Sequence, residues 1–207
     1  MKKIQYVCSI AFMLALGSSL SRAQASQIIP VSATGTGTFN GSPSLLIDDF
    51  IPPEYTTWNT APNVWSNNAN PNPQYTIDLG SLYQVEDVTV SVDNNDDYVV
   101  QYSIDNLAYS DLFTISSSYG NVPVSPGGMD TMTTIAGDPE YVPEIDFTPV
   151  EARYLRIFGT QGDRLYGVGE VMAFGQLKSV PEPTSTLSLV ALVTLGAAST
   201  LKRKLKP

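Results

Sequence analysis

From Tyr75 onward the apolar residues come in short runs separated by turn residues, and no stretch carries the three-to-four spacing of a helix. Tyr75, Ile77 and Leu79 alternate with polar neighbours, and Val85, Val88, Val90 and Val92 continue as a second run. Further runs occupy 99–104, 112–116 and 132–135, and the stretch 152–175 closes the series with apolar segments at 154–158 and 171–174. Strands of four to seven residues between Gly, Pro, Asn and Asp turns predict an all-β sandwich. Asp93-Asn94-Asn95-Asp96-Asp97 interrupts the series. Its side chains match the start of an EF-hand loop, but Tyr98 stands where glycine is needed and Ile104 where the bidentate glutamate belongs. A solvated hairpin turn is the expectation there, with a weak cation site as the other reading.

Before the first of these runs, residues 26–34 read as a polar lead-in, and glycines at 35, 37 and 41 leave the start of the domain open between edge strand and loop. Residues 35–177 then form the expected domain. Between Ser26 and Val180 there are 19 Asp and Glu against 4 Lys and Arg, a net charge of −15. Such a surface repels nucleic acid and anionic membrane, and it favours divalent cations or neutral polymers. Histidine is absent, which removes the usual neutral-pH base and the usual zinc ligand. Carboxylate-only glycoside chemistry would need two acids spaced across a cleft. No pair in the chain suggests itself, so the expectation is a protein that is not an enzyme. Cys8 is the only cysteine, so the domain cannot be held by an internal disulfide.

The two ends read as addresses. Residues 1–25 begin with Lys2 and Lys3, continue through an apolar run and finish Ala23-Gln24-Ala25, a secretory signal peptide cut after Ala25. At the other end Val180-Pro181-Glu182-Pro183 precedes an apolar run over 184–201 and a basic tail of Lys202, Arg203, Lys204 and Lys206. Eighteen helical residues rise about 27 Å, enough to span a bilayer with the basic tail kept inside. A permanent single-span anchor is one reading. Motif, short span and basic tail in that order also resemble the PEP-CTERM sorting signal of Gram-negative bacteria, over residues 178–207. That resemblance implies transient membrane insertion and removal of the tail by an exosortase-type processing enzyme, with Pro181, Glu182 and Pro183 in the recognition motif. It also implies an exported protein at the cell surface or outside the cell, often beside exopolysaccharide.

The loop from Asp48 to Trp58 gathers Asp48, Asp49, Glu54, Thr56 and Thr57 around Pro52-Pro53, and adjacent prolines exclude helix and central strand. Several hard oxygens on one loop suit calcium. Turn-capping aspartates beside a core-covering Trp58 would read the same way.

Ordered patterns now accumulate: Leu46-Ile47-Asp48-Asp49 with Trp58, QYTIDLG at 74–80, VVQYSIDN at 99–106, Ala152-Arg153-Tyr154-Leu155-Arg156-Ile157, and Val168-Gly169-Glu170-Val171. Together they resemble a factor 5/8 type C, or discoidin-like, domain of the galactose-binding-like jelly-roll class, over about residues 35–175. The resemblance implies a structural calcium ion held by Asp49, Thr56 or Thr57 and Glu170, with Asp48 beside them. It also implies a binding site in the loops at one end of the sandwich, where a sugar lies on an aromatic ring and its hydroxyls meet polar groups. Loop residues that could serve are Trp65, Tyr98, Tyr119, Tyr141 and Tyr166, with Asn95, Asp97, Asp163 and Arg164 as polar partners. A half-buried loop plug is the alternative role for each aromatic, and Arg153 and Arg156 read as structural. The implied function is a non-catalytic carbohydrate- or exopolysaccharide-binding or adhesion domain. A matrix or surface protein without a specific small ligand is the alternative.

Overall fold

The computed structural model describes residues 25–67, 71–125 and 127–178. The signal peptide up to residue 24, the Pro181-Glu182-Pro183 motif and the apolar run at 184–201 lie outside these residues. Among the described residues no helix is long and apolar enough to cross a membrane. The transmembrane and single-span-anchor assignments are corrected to this extent: no described helix supports them, and the run at 184–201 that suggested them lies outside the described residues.

Among the described residues nine strands make an open, mostly antiparallel sandwich: β1 (Ser26–Ile28), β2 (Ser32–Thr36), β3 (Val64–Trp65), β4 (Gln74–Asp93), β5 (Asp97–Ser103), β6 (Ser110–Ile115), β7 (Met129–Thr133), β8 (Val150–Gln161) and β9 (Gly167–Leu177). Short 3-10 turns at Pro43–Ile47 and Pro143–Ile145 are the helical elements described. The predicted all-β sandwich is what forms.

β4 is the organising strand. Its first part pairs with β2 over residues 74–78 and with β8 from Tyr75 to Val85, and its last part pairs with β9 from Tyr83 and with β7 from Thr89. The two runs around Ile77 and Val90, which the sequence presents separately, are therefore one strand of 20 residues. Gly80, at φ 85°, and register shifts between Asp78 and Tyr83 and between Val85 and Asp87 let it change partners without ending. A left-handed φ is open to glycine and costly for a residue with a Cβ. Alternation then does the packing. Tyr75, Ile77, Leu79, Val88, Val90 and Val92 enter one core with Val100, Ile115, Leu155, Ile157, Val168 and Val171.

The Asp93–Asp97 turn is not a hairpin, because β4 and β5 are not paired; β5 lies between β8 and β6. The turn instead carries the chain from one part of the sheet to another, which is why Asp93, Asn94 and Asp96 are buried rather than solvated. Of the two readings of the chain before Tyr75, the strand is what forms over part of it: β1 pairs with β9 and β2 with β4, so among the described residues the sheet includes Ser26–Ile28 and Ser32–Thr36. Arg153 and Arg156 are structural, as expected. Arg153 donates to both carboxylate oxygens of Asp78 at 3.0 and 3.1 Å, and holds that carboxyl below its ordinary range. Arg156 donates to Gln101 Oε1 and stacks 3.7 Å over the Tyr109 ring.

Candidate functional site

The loop after the first 3-10 turn is laid across β7 and β9 by its own backbone. Tyr55 N–H donates to Met129 O at 3.0 Å and Met129 N–H to Thr56 O at 2.8 Å, while Pro52 closes on Gly169, where a Cβ would stand 2.5 Å from its Cγ. This cover explains why β4 is buried on both faces here. Val90 and Val92 point into the core, while Ser91 sits in register between Glu170 of β9 and Thr131 of β7. Glu170 Oε2, Ser91 Oγ and Thr131 Oγ1 are all buried without a hydrogen-bond partner.

The calcium ligands implied by resemblance meet only in part. Glu170 is 1% exposed. Its carboxyl is pushed up to about 8, by burial first and then by the Asp48 charge, while the backbone N–H groups of Asp49 and Asp48 oppose the shift. First loop and last strand therefore do meet. The remaining donors are engaged otherwise: Asp49 Oδ1 accepts from Gln27 Nε2 at 2.6 Å, Asp48 Oδ1 from Phe50 N–H at 3.2 Å, and Thr56 Oγ1 donates to Pro53 O at 2.5 Å. Thr57 is exposed. Among the described residues the three carboxylates that converge are different ones. Glu54, Asp130 and Glu140 each place an oxygen within 4.8 Å of the others. Burial, and after it the Glu54 charge, raise the Asp130 and Glu140 carboxyls, against N–H groups such as that of Val122 on Asp130. This cluster could hold a metal ion.

Beside that cluster lies an open cleft of about 310 Å³, lined among others by Tyr119, Asn121, Thr131, Glu140 and Tyr141. Asn121 Nδ2 donates to Glu140 Oε2 at 3.0 Å, and the Tyr141 hydroxyl donates to Asp146 Oδ2 at 2.6 Å. Tyr119 and Tyr141 are half-buried, and both line the opening. On the far side of Thr131 and Glu140 a second hollow of about 270 Å³ is lined by Ile51, Pro52, Pro53 and Glu54.

The other expected ligand residues separate. Tyr98 is 0% and Tyr166 2% exposed; their rings pack edge to face at 5.8 Å, and the Tyr98 hydroxyl donates to Gly167 O at 3.0 Å. Both are core side chains, which corrects their assignment as sugar contacts. Trp65 bridges to Asn40 through its backbone. Asp97 Oδ1 accepts Ser117 N–H at 2.8 Å and so holds a turn. Arg164 is exposed at φ 67°, its N–H donating to Asp96 Oδ1 at 3.1 Å. Of the expected loop aromatics, Tyr119 and Tyr141 line the larger cleft. Asp130 and Glu140 were not singled out. The available signal was an aspartate inside the otherwise uncharged run 129–135.

A family model described as the NedA-like, galactose-binding domain of the F5/8 type C group matches residues 55–157. It describes a binding domain, not a catalytic one. No curated protein matches the chain. Similar solved structures include truncated AlyQ with CBM32 and alginate lyase domains, at 19% identity and TM-score 0.49, covering 75% of this chain and 34% of that one. The CBM32 of AlyQ in complex with 4,5-unsaturated mannuronic acid is 19% identical at TM-score 0.48, covering 72% and 97%. Chitosan-binding module 1 from a chitosanase/glucanase of Paenibacillus sp. IK-5 gives the same identity, score and coverage. The chain thus spans about a third of the length of the first of these structures. Residues 55–157 thus match a galactose-binding domain of the F5/8 type C group, and the nine described strands make the β-sandwich that such a domain has.

Proposed function

We propose that the domain is a non-catalytic carbohydrate-binding module whose ligand edge is the cleft between Tyr119 and Tyr141. The observation that carries this reading is the pairing, in one open cleft, of two half-buried tyrosine rings with an amide and a carboxylate, Asn121 and Glu140. A ring face accepts the C–H side of a sugar, and Asn121 and Glu140 offer directional partners to its hydroxyls. The match to a galactose-binding family model supports the class of ligand. Charge narrows it further. An acidic surface with Glu140 and Glu144 on the cleft wall disfavours polyanionic glycans, so neutral glycans are the expected ligands. An extracellular polysaccharide or a surface glycan of that kind is the partner this reading assigns.

A glycan array run with and without calcium, followed by calorimetry on the strongest neutral ligand, tests the proposal. Y119A and Y141A are each expected to weaken binding on the order of tenfold, as loss of a stacking ring does. Y109A, which removes a ring stacked on Arg156 away from the cleft, leaves it within about twofold. A flat array, or binding indifferent to both cleft tyrosines, refutes the assignment and favours a surface protein without a specific small ligand.

A further inference from the structure

We propose that Glu54, Asp130 and Glu140 form a binding site for a divalent hard cation, with calcium as the ion whose size and ligand preference fit. The residues come from three distant segments, and backbone hydrogen bonds bring them together. The pairing of Tyr55 and Thr56 with Met129 sets Glu54 beside Asp130. Thr133 N–H donating to Glu140 O at 2.9 Å, and Val142 N–H donating to Thr133 O at 3.0 Å, lay Glu140 along the same strand. The three carboxylate oxygens then lie within 4.8 Å of one another, inside the roughly 5 Å that two oxygens span on opposite sides of a calcium ion.

Proximity of acidic groups is not by itself a site; the unmet hydrogen-bonding capacity is the independent observation. Asp130 is 0% exposed. Its Oδ2 accepts the N–H groups of Asn121 and Val122, each at 3.1 Å, and its Oδ1 has no partner. Glu54 Oε1 is likewise buried and unpartnered, and so is the hydroxyl of Thr131, which lines the adjoining hollow with Glu54 and Glu140. A buried carboxylate without a donor calls for a proton or a cation. No basic side chain supplies the charge. Of the four among the described residues, Arg153 pairs with Asp78, Lys178 pairs with Glu151, Arg156 binds Gln101, and Arg164, exposed and bound to Asp96 through its backbone N–H, makes no ion pair with the cluster. With oxygen donors and neither histidine nor cysteine, the set selects calcium or magnesium over zinc or copper, and irregular geometry from three loops and strands suits calcium. The backbone around Gly120 is built to this carboxylate as well: a Cβ there would stand 2.1 Å from Asp130 Oδ2. A bound ion would tie the 48–57 loop to β7 and to the segment after it, on the wall of the Tyr119–Tyr141 cleft. The inference does not depend on glycan binding.

The test uses the full chain, stripped with EGTA and free of glycan. Calcium uptake is followed by calorimetry and by tyrosine-sensitised terbium luminescence, and thermal melts are run in EGTA and in calcium, with magnesium as a parallel arm. One ion per chain and a higher melting temperature in calcium are expected. E140Q is expected to weaken calcium binding on the order of tenfold or more, because ligand charge sets affinity at such sites. D130N should do the same, and if it does not fold, the half-buried Glu140 position still decides the question. E170Q is expected to bind as the parent does. The proposal is overturned by identical melts with no uptake, by uptake of magnesium but not calcium, or by loss of binding in E170Q with retention in E140Q. The last outcome would put the ion at Glu170, and none of the three bears on the cleft.

Discussion

Asp93 and Asp96 show what burial does to a single carboxylate. Both are fully buried at the β4–β5 turn, neither oxygen of Asp93 has a hydrogen-bond partner, and Asp96 Oδ2 lacks one too. Both carboxyls are pushed up to about 7 by burial first; the Asp96 and Asp163 charges add to Asp93, and the Asp163 charge adds to Asp96 against the Arg164 N–H. In the unfolded chain the same groups titrate near 4. Between those values the folded state holds protons that the unfolded chain has released, so stability is lost as pH rises through about 7. In EGTA, the melting temperature is therefore expected to climb as pH is lowered from 8 to 5.5. D93N and D96N should raise it at pH 8 and reduce its dependence on pH. A melting temperature that falls over that interval would sink the account. Nothing in Asp93-Asn94-Asn95-Asp96-Asp97 as a string announces this, since five polar residues in a row look solvated; burial follows from the turn's passage between parts of the sheet.

β4 is where local pattern and tertiary demand meet. Its alternation of apolar residues was legible because side chains on a strand point to opposite faces with period two, whatever the strand pairs with. Its continuity was not legible, because the change of partner depends on the backbone at Gly80 and on neighbours far away in the chain. Gly80 carries φ 85°, and a Cβ there would stand 2.7 Å from Val31 Cγ1. G80A is expected to cost about 1–2 kcal/mol from the left-handed conformation alone, measured by urea unfolding. Adding V31A should relieve the contact but leave that backbone cost. If G80A unfolds at the parent's midpoint, the bend does not require glycine.

The whole sandwich is bounded differently from its apolar pattern. β1 closes on β9 through Ser26–Ile28, and β2 lies along β4 through Ser32–Thr36, so residues 26–36 supply two strands of the sheet. Deleting them should uncover the backbone edge of β9 and that of β4 along Gln74–Asp78, where Gly35 pairs with Tyr75. The expected result is a lower, broader melt with concentration-dependent association by light scattering, since bare strand edges template pairing. A truncated chain that melts as the full one does would return these residues to the role of lead-in.

The chain's local grammar was enough for the all-β class and for the strand runs from Tyr75 onward, because period-two alternation and turn residues are properties of neighbouring residues; the meeting of Glu170 with the Asp48–Asp49 loop came from the resemblance of the ordered motifs, not from any local pattern. Tertiary structure alone decided that Tyr98 and Tyr166 are core rather than ligand contacts, that Tyr119 and Tyr141 line one cleft, and that Glu54, Asp130 and Glu140 converge. The physical reason is the same in each case. Exposure and convergence are set by backbone hydrogen bonds between segments tens of residues apart, such as Tyr55 to Met129 and Thr133 to Glu140, and no short window of sequence contains both ends of such a bond.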